Sequence, residues 1–327
     1  MSIKNKLQIY LITCNRAKNL EYTFEQILAK DSPIKDFDIT ILDNASTDNT
    51  NQVVEKYQKD FPNIKYIKNL LNVGGGVNLC KAYELAGVCG KEYAWVLCDD
   101  DAFDFSNWAE VEKAVLEDKD IICVSNYCYP NNDISNSYYC LPQMTFVPAV
   151  IFKTKYVTFD IIFTMYESLY TLFPQLCLSI YAMNNDLSMH VLSKQIVDNG
   201  LHRNISSNEA SYSRGAKYNN LTDRLRKRNW ILGFVDIISH LKSKADQKEY
   251  VEKAILYKDI YGSWINFYAD ICSRYLNKND FHYFYIIYKS LKLKRKIQFW
   301  LWFIFKQPLR IIFNIKNLIV LRHFVFD

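Results

Sequence analysis

Three consecutive carboxylates, Asp99-Asp100-Asp101, follow the apolar run Tyr93-Ala94-Trp95-Val96-Leu97-Cys98. Adjacent like charges repel unless a cation neutralises them. Hard oxygen donors suit Mg²⁺ or Mn²⁺, ions that commonly bridge to substrate phosphates. Side chains alternate in an extended segment, so Asp99 and Asp101 are expected on one face and Asp100 on the other. On that reading Asp101 is the principal metal ligand, with Asp99 beside it and nearer a nucleoside. A solvated turn or a helix N-terminus also accommodates such residues.

Three other strand ends carry polar clusters. They are Thr13-Cys14-Asn15-Arg16, Asp43-Asn44-Ala45-Ser46, and the stretch with Asn69, Asn72 and Gly74-Gly75-Gly76. In open α/β sheets ligands bind beyond the carboxyl ends of the strands, so four such ends in succession imply one cleft. The glycines form neither a G-x-G-x-x-G fingerprint nor a loop ending in Gly-Lys-Ser/Thr. A dinucleotide enzyme and a P-loop ATPase are thereby disfavoured, and the glycines serve either close backbone approach to a ligand or a tight turn.

The elements that must position these residues can be read from periodicity. Strands are expected at Leu7–Thr13, Phe37–Asp43, Ile64–Ile67 and Tyr93–Cys98. Between them lie helical patterns, one presenting Leu20, Phe24, Ile27 and Leu28, another presenting Val53, Val54, Tyr57 and Phe61, and a third near 77–87. Ser46-Thr47-Asp48 is expected to cap the second. Further on, a helix is expected near 107–117, a strand near 120–125, a polar loop over Tyr127–Pro142, a strand at Thr145–Lys153, a helix at Gln175–Met183 and a last strand within 189–198. Alternating strands and helices predict an α/β fold with a mostly parallel sheet and right-handed crossovers. From about 221 the pattern turns helical and aromatic, giving two expected domains, 1–210 and 211–327.

With half of its 327 residues hydrophobic and 23% charged, the chain can bury a core and is not disordered. Net charge is +5, too small to imply a nucleic-acid partner. Its distribution is uneven: residues 211–327 hold 22 Lys+Arg against 9 Asp+Glu, while 1–210 hold 18 against 26. The back part is suited to an anionic surface. The nine cysteines include no C-x-x-C pair and read as buried thiols in a reducing compartment. No signal-peptide pattern is present at Leu7–Thr13, so a cytoplasmic location is expected. Residues 289–327 carry nine Lys+Arg, one acid, and Phe299-Trp300-Leu301-Trp302-Phe303-Ile304-Phe305. That run is far short of the ~20 residues needed to span a bilayer. It fits either a helix lying in the membrane interface or a packed helix with a solvated basic face.

Taken together, Leu11–Arg16, Leu42–Asp48, Asn69–Asn78 and Asp99–Asp101 resemble the family 2 glycosyltransferases of the GT-A type, in order and in spacing. The likeness covers about residues 6–125 and fades by 210. It implies a Rossmann-like GT-A sheet, a nucleotide-sugar donor (a UDP-sugar by preference), Mn²⁺ or Mg²⁺, and inversion at the anomeric carbon. It also implies a role in building surface polysaccharides on a glycan or lipid-linked acceptor at the inner face of the cell membrane. By this resemblance Thr13, Asn15 and Arg16 line the nucleotide pocket and Asp43 contacts the base. Asn72 and Gly75 lie near the nucleoside, Asp99 near the ribose or metal, Asp100 in the donor site, and Asp101 on the metal at the diphosphate.

An inverting transfer needs a general base for the acceptor hydroxyl. Many members of the family carry a Glu-Asp pair for this purpose, and here the equivalent place reads Phe173-Pro174-Gln175. Glu167 is the first candidate for the base, Asp160 the second, and Asp186 a third; each is also an ordinary surface carboxylate by type. His202, Arg203 and Arg214 are candidates for additional metal or phosphate contacts. The aromatic residues of 257–305 either face lipid, line an acceptor groove, pack a helical domain or form a homo-oligomer interface. Two rival functions share these residues: a nucleotidyltransferase releasing pyrophosphate, and a non-catalytic membrane-associated scaffold.

Overall fold

The computed structural model describes residues 3–125, 141, 144–199 and 233–244, with scattered positions from 246 to 297. The chain divides into two compact units, Met1–Lys217 and Tyr218–Asp327.

The first unit is built on a seven-stranded sheet in the order β3-β2-β1-β4-β7-β6-β8. Its strands are β1 Leu7–Thr13, β2 Asp38–Asp43, β3 Ile64–Lys68, β4 Tyr93–Cys98, β6 Ile121–Cys123, β7 Val150–Lys153 and β8 Met189–Val191. Strands β3, β2, β1 and β4 run parallel. Strand β7 runs antiparallel to both β4 and β6. All seven residues of β1 are buried, as expected for a central parallel strand covered on both faces. The mostly parallel sheet is the one the sequence implies. A separate ribbon pairs β5 (Asp101–Phe103) antiparallel with β9 (Val197–Asn199).

Four helices connect the first strands: α1 Ala17–Ile27, α2 Thr50–Gln58, α3 Gly75–Val88 and α4 Trp108–Leu116. The expected apolar face of α1 is fully committed, since Leu20, Phe24, Ile27 and Leu28 are all buried. On α2, Val54 is buried while Val53 and Tyr57, with Phe61 just past the helix, pack partly covered against the same core. That core centres on Trp95 and Trp108, whose ring centroids lie 6.3 Å apart. Two further helices follow, α5 Phe159–Glu167 and α6 Leu176–Asn184. Helix α5 was not foreseen, because its exposed Phe159 and Phe163 blur the apolar periodicity.

Some expectations need correction. The cap of α2 is Asn49 rather than Ser46-Thr47-Asp48; Asp48 instead accepts from the Thr50 amide at 3.1 Å. The strand expected over Thr145–Lys153 starts only at Val150, because Pro148 lies in a 3₁₀ turn over Val147–Ala149. The strand expected within 189–198 is two strands. Its middle turns away at Ser193-Lys194, whose polar groups bond Glu110 and Asp104. Of the expected buried thiols, Cys80, Cys123 and Cys177 are buried, whereas Cys14, Cys89 and Cys98 are only half-buried.

Of the second unit, a helix at 233–238 is described with Phe234, Val235, Ile237 and Ile238 buried. A short antiparallel pair, β10 Lys258–Asp259 and β11 Gly262–Ser263, breaks the helical pattern. Among the described residues no helix is long and apolar enough to cross a membrane. The Tyr127–Pro142 loop apart from the buried Leu141, the 210/211 boundary and the basic tail over 301–327 lie outside the described residues.

Candidate active site

Parallel register brings the polar strand ends level. Thr13 sits opposite Asp43, and Asp43 opposite Lys68, while Cys98 sits opposite Ile12. The residue after Cys98, Asp99, therefore arrives beside Thr13. The Thr13 hydroxyl donates to Asp99 Oδ2 at 2.6 Å, and Arg16 Nη1 donates to Asp99 Oδ1, also at 2.6 Å. Arg16 Nη1 also reaches Asp100 Oδ2 at 2.8 Å. Thr23 Oγ1 donates to the Asp99 carbonyl at 2.9 Å, fixing the turn to α1.

The acidic turn is thus divided between two tasks. Asp99 is almost wholly buried and both its oxygens are taken by Thr13 and Arg16. Asp101, equally buried, opens β5 and accepts from the Cys98 amide at 2.7 Å. The side chain of Asp100 is 46% exposed. One ligand atom each from Cys98, Asp100 and Asp101 fall within 4.8 Å of one another. Sequence alternation pairs Asp101 with Asp99; the geometry groups Asp101 with Asp100 and Cys98, because Asp99 and Asp100 form a turn rather than continuing the strand. Two carboxylates in that compass fit a hard divalent cation; a thiol is the softer third donor.

Electrostatics follow from burial. Desolvation raises the Asp99 carboxyl to about 6 despite the Arg16 charge. Asp101 is pushed well above the ordinary carboxylate range, by burial first and then by Asp100. Burial alone would lower the Arg16 guanidinium, but Asp99 and Asp100 outweigh it and raise it. Burial, then the charge of Asp101, keeps the Cys98 thiol protonated well above its usual range.

The second strand end forms a floor. Asp43 is fully buried, with Oδ1 accepting from the Ser46 amide at 2.9 Å and Oδ2 from the Tyr66 hydroxyl. Burial, then the Asp43 bond, raises the Tyr66 hydroxyl above its usual range. Asn15 (φ 53°) and Ala45 (φ 60°) adopt left-handed backbone, turning the chain sharply off β1 and β2. Asn15 is fixed there by its amide on Ser46 Oγ at 2.7 Å and by Oδ1 accepting from the Thr47 amide at 2.6 Å.

An asparagine network holds the glycine loop. Asn44 Nδ2 donates to Asn72 Oδ1 at 2.8 Å, and Asn44 Oδ1 accepts from Asn69 Nδ2 and the Val73 amide. Asn69 in turn bonds Asn78 Oδ1 and accepts from Lys81. Gly74 enters α3 at φ 86°, which favours glycine. Gly75 is the first residue of α3. The structure therefore brings together Thr13, Arg16, Asp99, Asp100 and Asp101 as one cluster, with Asp43 at the end of β2, Asn15 and Asn72 on the adjoining loops and Gly75 at the start of α3. Sequence reasoning passed over Asn44 as a working residue; its place directly after Asp43 at a strand end was the available signal.

The base candidates separate. A Cβ on Gly76, in the first turn of α3, would lie 3.0 Å from Leu169, just past the end of α5. A Cβ on Gly87, in its last turn, would lie 2.8 Å from the Val157 carbonyl, just before α5 begins. The two helices are thus antiparallel. Glu167 ends α5 on the side where α3 starts, at the carboxyl edge of the sheet, and Asp160 starts α5 at the far edge. Seven residues of helix put the two about 10 Å apart along the axis. Both are exposed, as is Asp186, which has φ 51°. Gln175 is buried and donates to the Thr145 carbonyl at 2.9 Å. His202, Arg203 and Arg214 lie outside the described residues.

Comparison with known proteins gives a consistent result. Residues 8–166 match the family described as Glycosyl transferase family 2. A curated relative, an uncharacterized glycosyltransferase of Mycoplasma pneumoniae, is 30% identical over 130 residues, which is 39% of this chain and 42% of the relative. The match thus spans less than half of that relative's length. Among solved structures, S. aureus TarS in complex with UDP superposes with a TM-score of 0.53 at 17% identity, covering 82% of this chain and 80% of the other. The mannosyltransferase PcManGT from Pyrobaculum calidifontis, in complex with GDP-Man and Mn²⁺, gives 0.51 at 11% identity, covering 91% and 84%. At these identities the likeness shows the fold, the Rossmann-like mostly parallel sheet of the GT-A type.

Proposed function

Residues 8–166 form a family 2 glycosyltransferase domain, and from that premise we propose that the protein moves a sugar from a nucleoside-diphosphate donor to a hydroxyl acceptor, with a divalent cation and inversion. The observation that supports this most is the convergence of Cys98, Asp100 and Asp101 ligand atoms within 4.8 Å, next to an Asp99 held by Thr13 and Arg16. Both superposed relatives are nucleotide complexes by description, one with UDP and one with GDP-Man and Mn²⁺.

The residues divide the work as follows. Asp100 and Asp101 would hold Mn²⁺ or Mg²⁺, which would offset charge on the departing diphosphate as a Lewis acid. Asp43 and Tyr66 present a bonded polar edge to the base, and Asn15, Asn72 and Gly75 border the nucleoside. Thr13 and Arg16 keep Asp99 oriented toward the ribose. Glu167, at the carboxyl edge, takes the acceptor proton as the acceptor oxygen bonds the anomeric carbon and the bond to the diphosphate oxygen breaks. Asp160, at the opposite end of α5, has no part in that step. A UDP-sugar is the favoured donor.

The acceptor we favour is a glycan or lipid-linked sugar in surface polysaccharide synthesis, at the cytoplasmic face of the membrane. The sequence supports this through the excess of Lys and Arg in 289–327 and its aromatic run.

A thermal-shift panel of nucleotide sugars, with and without Mn²⁺, tests the reading. One donor should stabilise the protein only with metal, and Asp101→Asn should abolish that stabilisation. Products distinguish the rival chemistry: nucleoside diphosphate supports transfer of sugar, and pyrophosphate would replace it with nucleotidyl transfer.

A further inference from the structure

Arg16 stands where two requirements of the site meet. Its guanidinium is buried and touches both Asp99 and Asp100 through the same nitrogen, at 2.6 and 2.8 Å. Asp100 also belongs to the group of possible cation ligands with Cys98 and Asp101. A cation entering that group must therefore share Asp100 with a fixed positive charge. Arg16 Nε, meanwhile, is buried without any hydrogen-bond acceptor. A buried donor left unmade is costly, and guanidinium is the side chain best matched to phosphate.

These facts oppose one another for a bare cation and agree for a cation arriving with a diphosphate. The bare ion meets like-charge repulsion across Asp100. A diphosphate supplies negative oxygens for the ion and acceptors for the guanidinium. Resting on the donor reading above, we propose that Arg16 couples cation binding to diphosphate binding, disfavouring the ion alone and favouring the pair. It is a positioning residue for the acidic turn and the source of a mutual dependence: the site fills fully only with both ligands. Linkage makes the coupling reciprocal, so the cation raises affinity for the diphosphate as much as the diphosphate raises affinity for the cation.

The test is calorimetry on the full chain, titrating Mn²⁺ alone and then UDP, GDP or CDP at saturating Mn²⁺. Arg16→Met should bind bare Mn²⁺ about tenfold more tightly, as removal of a unit charge a few Å from a divalent ion requires even at high dielectric. The same variant should bind the nucleoside diphosphate about tenfold more weakly. A residue that only shapes the turn would move both affinities the same way. Both falling, both rising or neither changing overturns the proposal. Arg16→Met leaves the Asp99 carboxylate without a charge partner and held by Thr13 alone, so a thermal melt accompanies it and Arg16→Lys serves as a second variant. Lysine keeps the charge and loses the fork: bare Mn²⁺ affinity should stay within about threefold of wild type while nucleotide affinity falls. Unchanged nucleotide affinity in Arg16→Lys overturns the coupling and leaves the donor reading intact. If the wild type binds Mn²⁺ with none of the three nucleotides, the donor reading falls and the coupling with it.

Discussion

Asn44→Ala tests whether the asparagine network sets the donor site. The side chain makes three hydrogen bonds, to Asn72 at 2.8 Å, from Asn69 at 3.1 Å and from the Val73 amide at 3.0 Å. Asn44 is buried, so water does not simply replace these partners. At roughly 1 kcal/mol each, the three predict a loss of about 3 kcal/mol in folding stability. The loss has a functional counterpart, because two of the three bonds hold Asn72 and Val73, which lead into Gly74 and Gly75. A loop freed by even half that energy costs about tenfold in affinity for UDP at saturating Mn²⁺. Urea denaturation measures the first quantity and calorimetric UDP titration the second. Asn51→Ala, which removes only an exposed bond to Glu55, is the control and should stay within about 0.5 kcal/mol. A loss below about 1 kcal/mol for Asn44→Ala refutes the energetic argument. A loss near 3 kcal/mol with unchanged UDP affinity refutes the link from loop to site.

Other outcomes follow from the same geometry. Glu167→Gln should lower kcat at least a hundredfold, within the range of a lost general base, while Asp160→Asn should leave it within about twofold; steady-state kinetics with the identified donor would expose a reversal. Asp120 ties β6, β7 and β8 together, accepting from Ser188, Tyr156 and Lys153. Burial pushes its carboxyl up, yet these donors hold it well below the usual range. Its folded-state pKa is thus depressed, so its contribution is full above the unfolded value of about 3.9, starts to decline below it, and is lost only as pH falls through the lower folded value. Asp120→Asn should cost about 2–4 kcal/mol near pH 7, and the difference from wild type should narrow only as pH drops below about 3; urea melts in which it has already vanished at about pH 4 would contradict this.

Much of the first unit was legible because its strands are continuous apolar runs bounded by polar residues. The observed β1 and β4 coincide with Leu7–Thr13 and Tyr93–Cys98, and α1 buries the four residues its period selects. Legibility failed where tertiary contacts decide. Pro148 shortened β7, and the bonds of Ser193 and Lys194 split what read as one strand. Helix α5 was hidden because Phe159 and Phe163 remain exposed. At the site, alternation correctly made Asp100 the odd carboxylate by exposure. It could not show that the chain turns at Asp99-Asp100, giving Asp99 to Thr13 and Arg16 and leaving Asp100 with Asp101. The sequence ranked Glu167 above Asp160 by place alone; the antiparallel packing of α5 on α3 adds that the two stand at opposite ends of α5.

The ribbon of β5 and β9 gives the protein a schedule. Asp101 lies directly across from Asn199, so a carboxylate encoded early is braced by a strand made almost a hundred residues later. A nascent chain emerging from the ribosome possesses all three aspartates long before it possesses their support. The same holds for a fragment cut at residue 166, which retains the whole recognised family segment and lacks β9. The last backbone pairing around Asp101 therefore forms late in synthesis, and a truncated product would keep the bonds to Thr13, Arg16 and the Cys98 amide while lacking the β9 side of the ribbon.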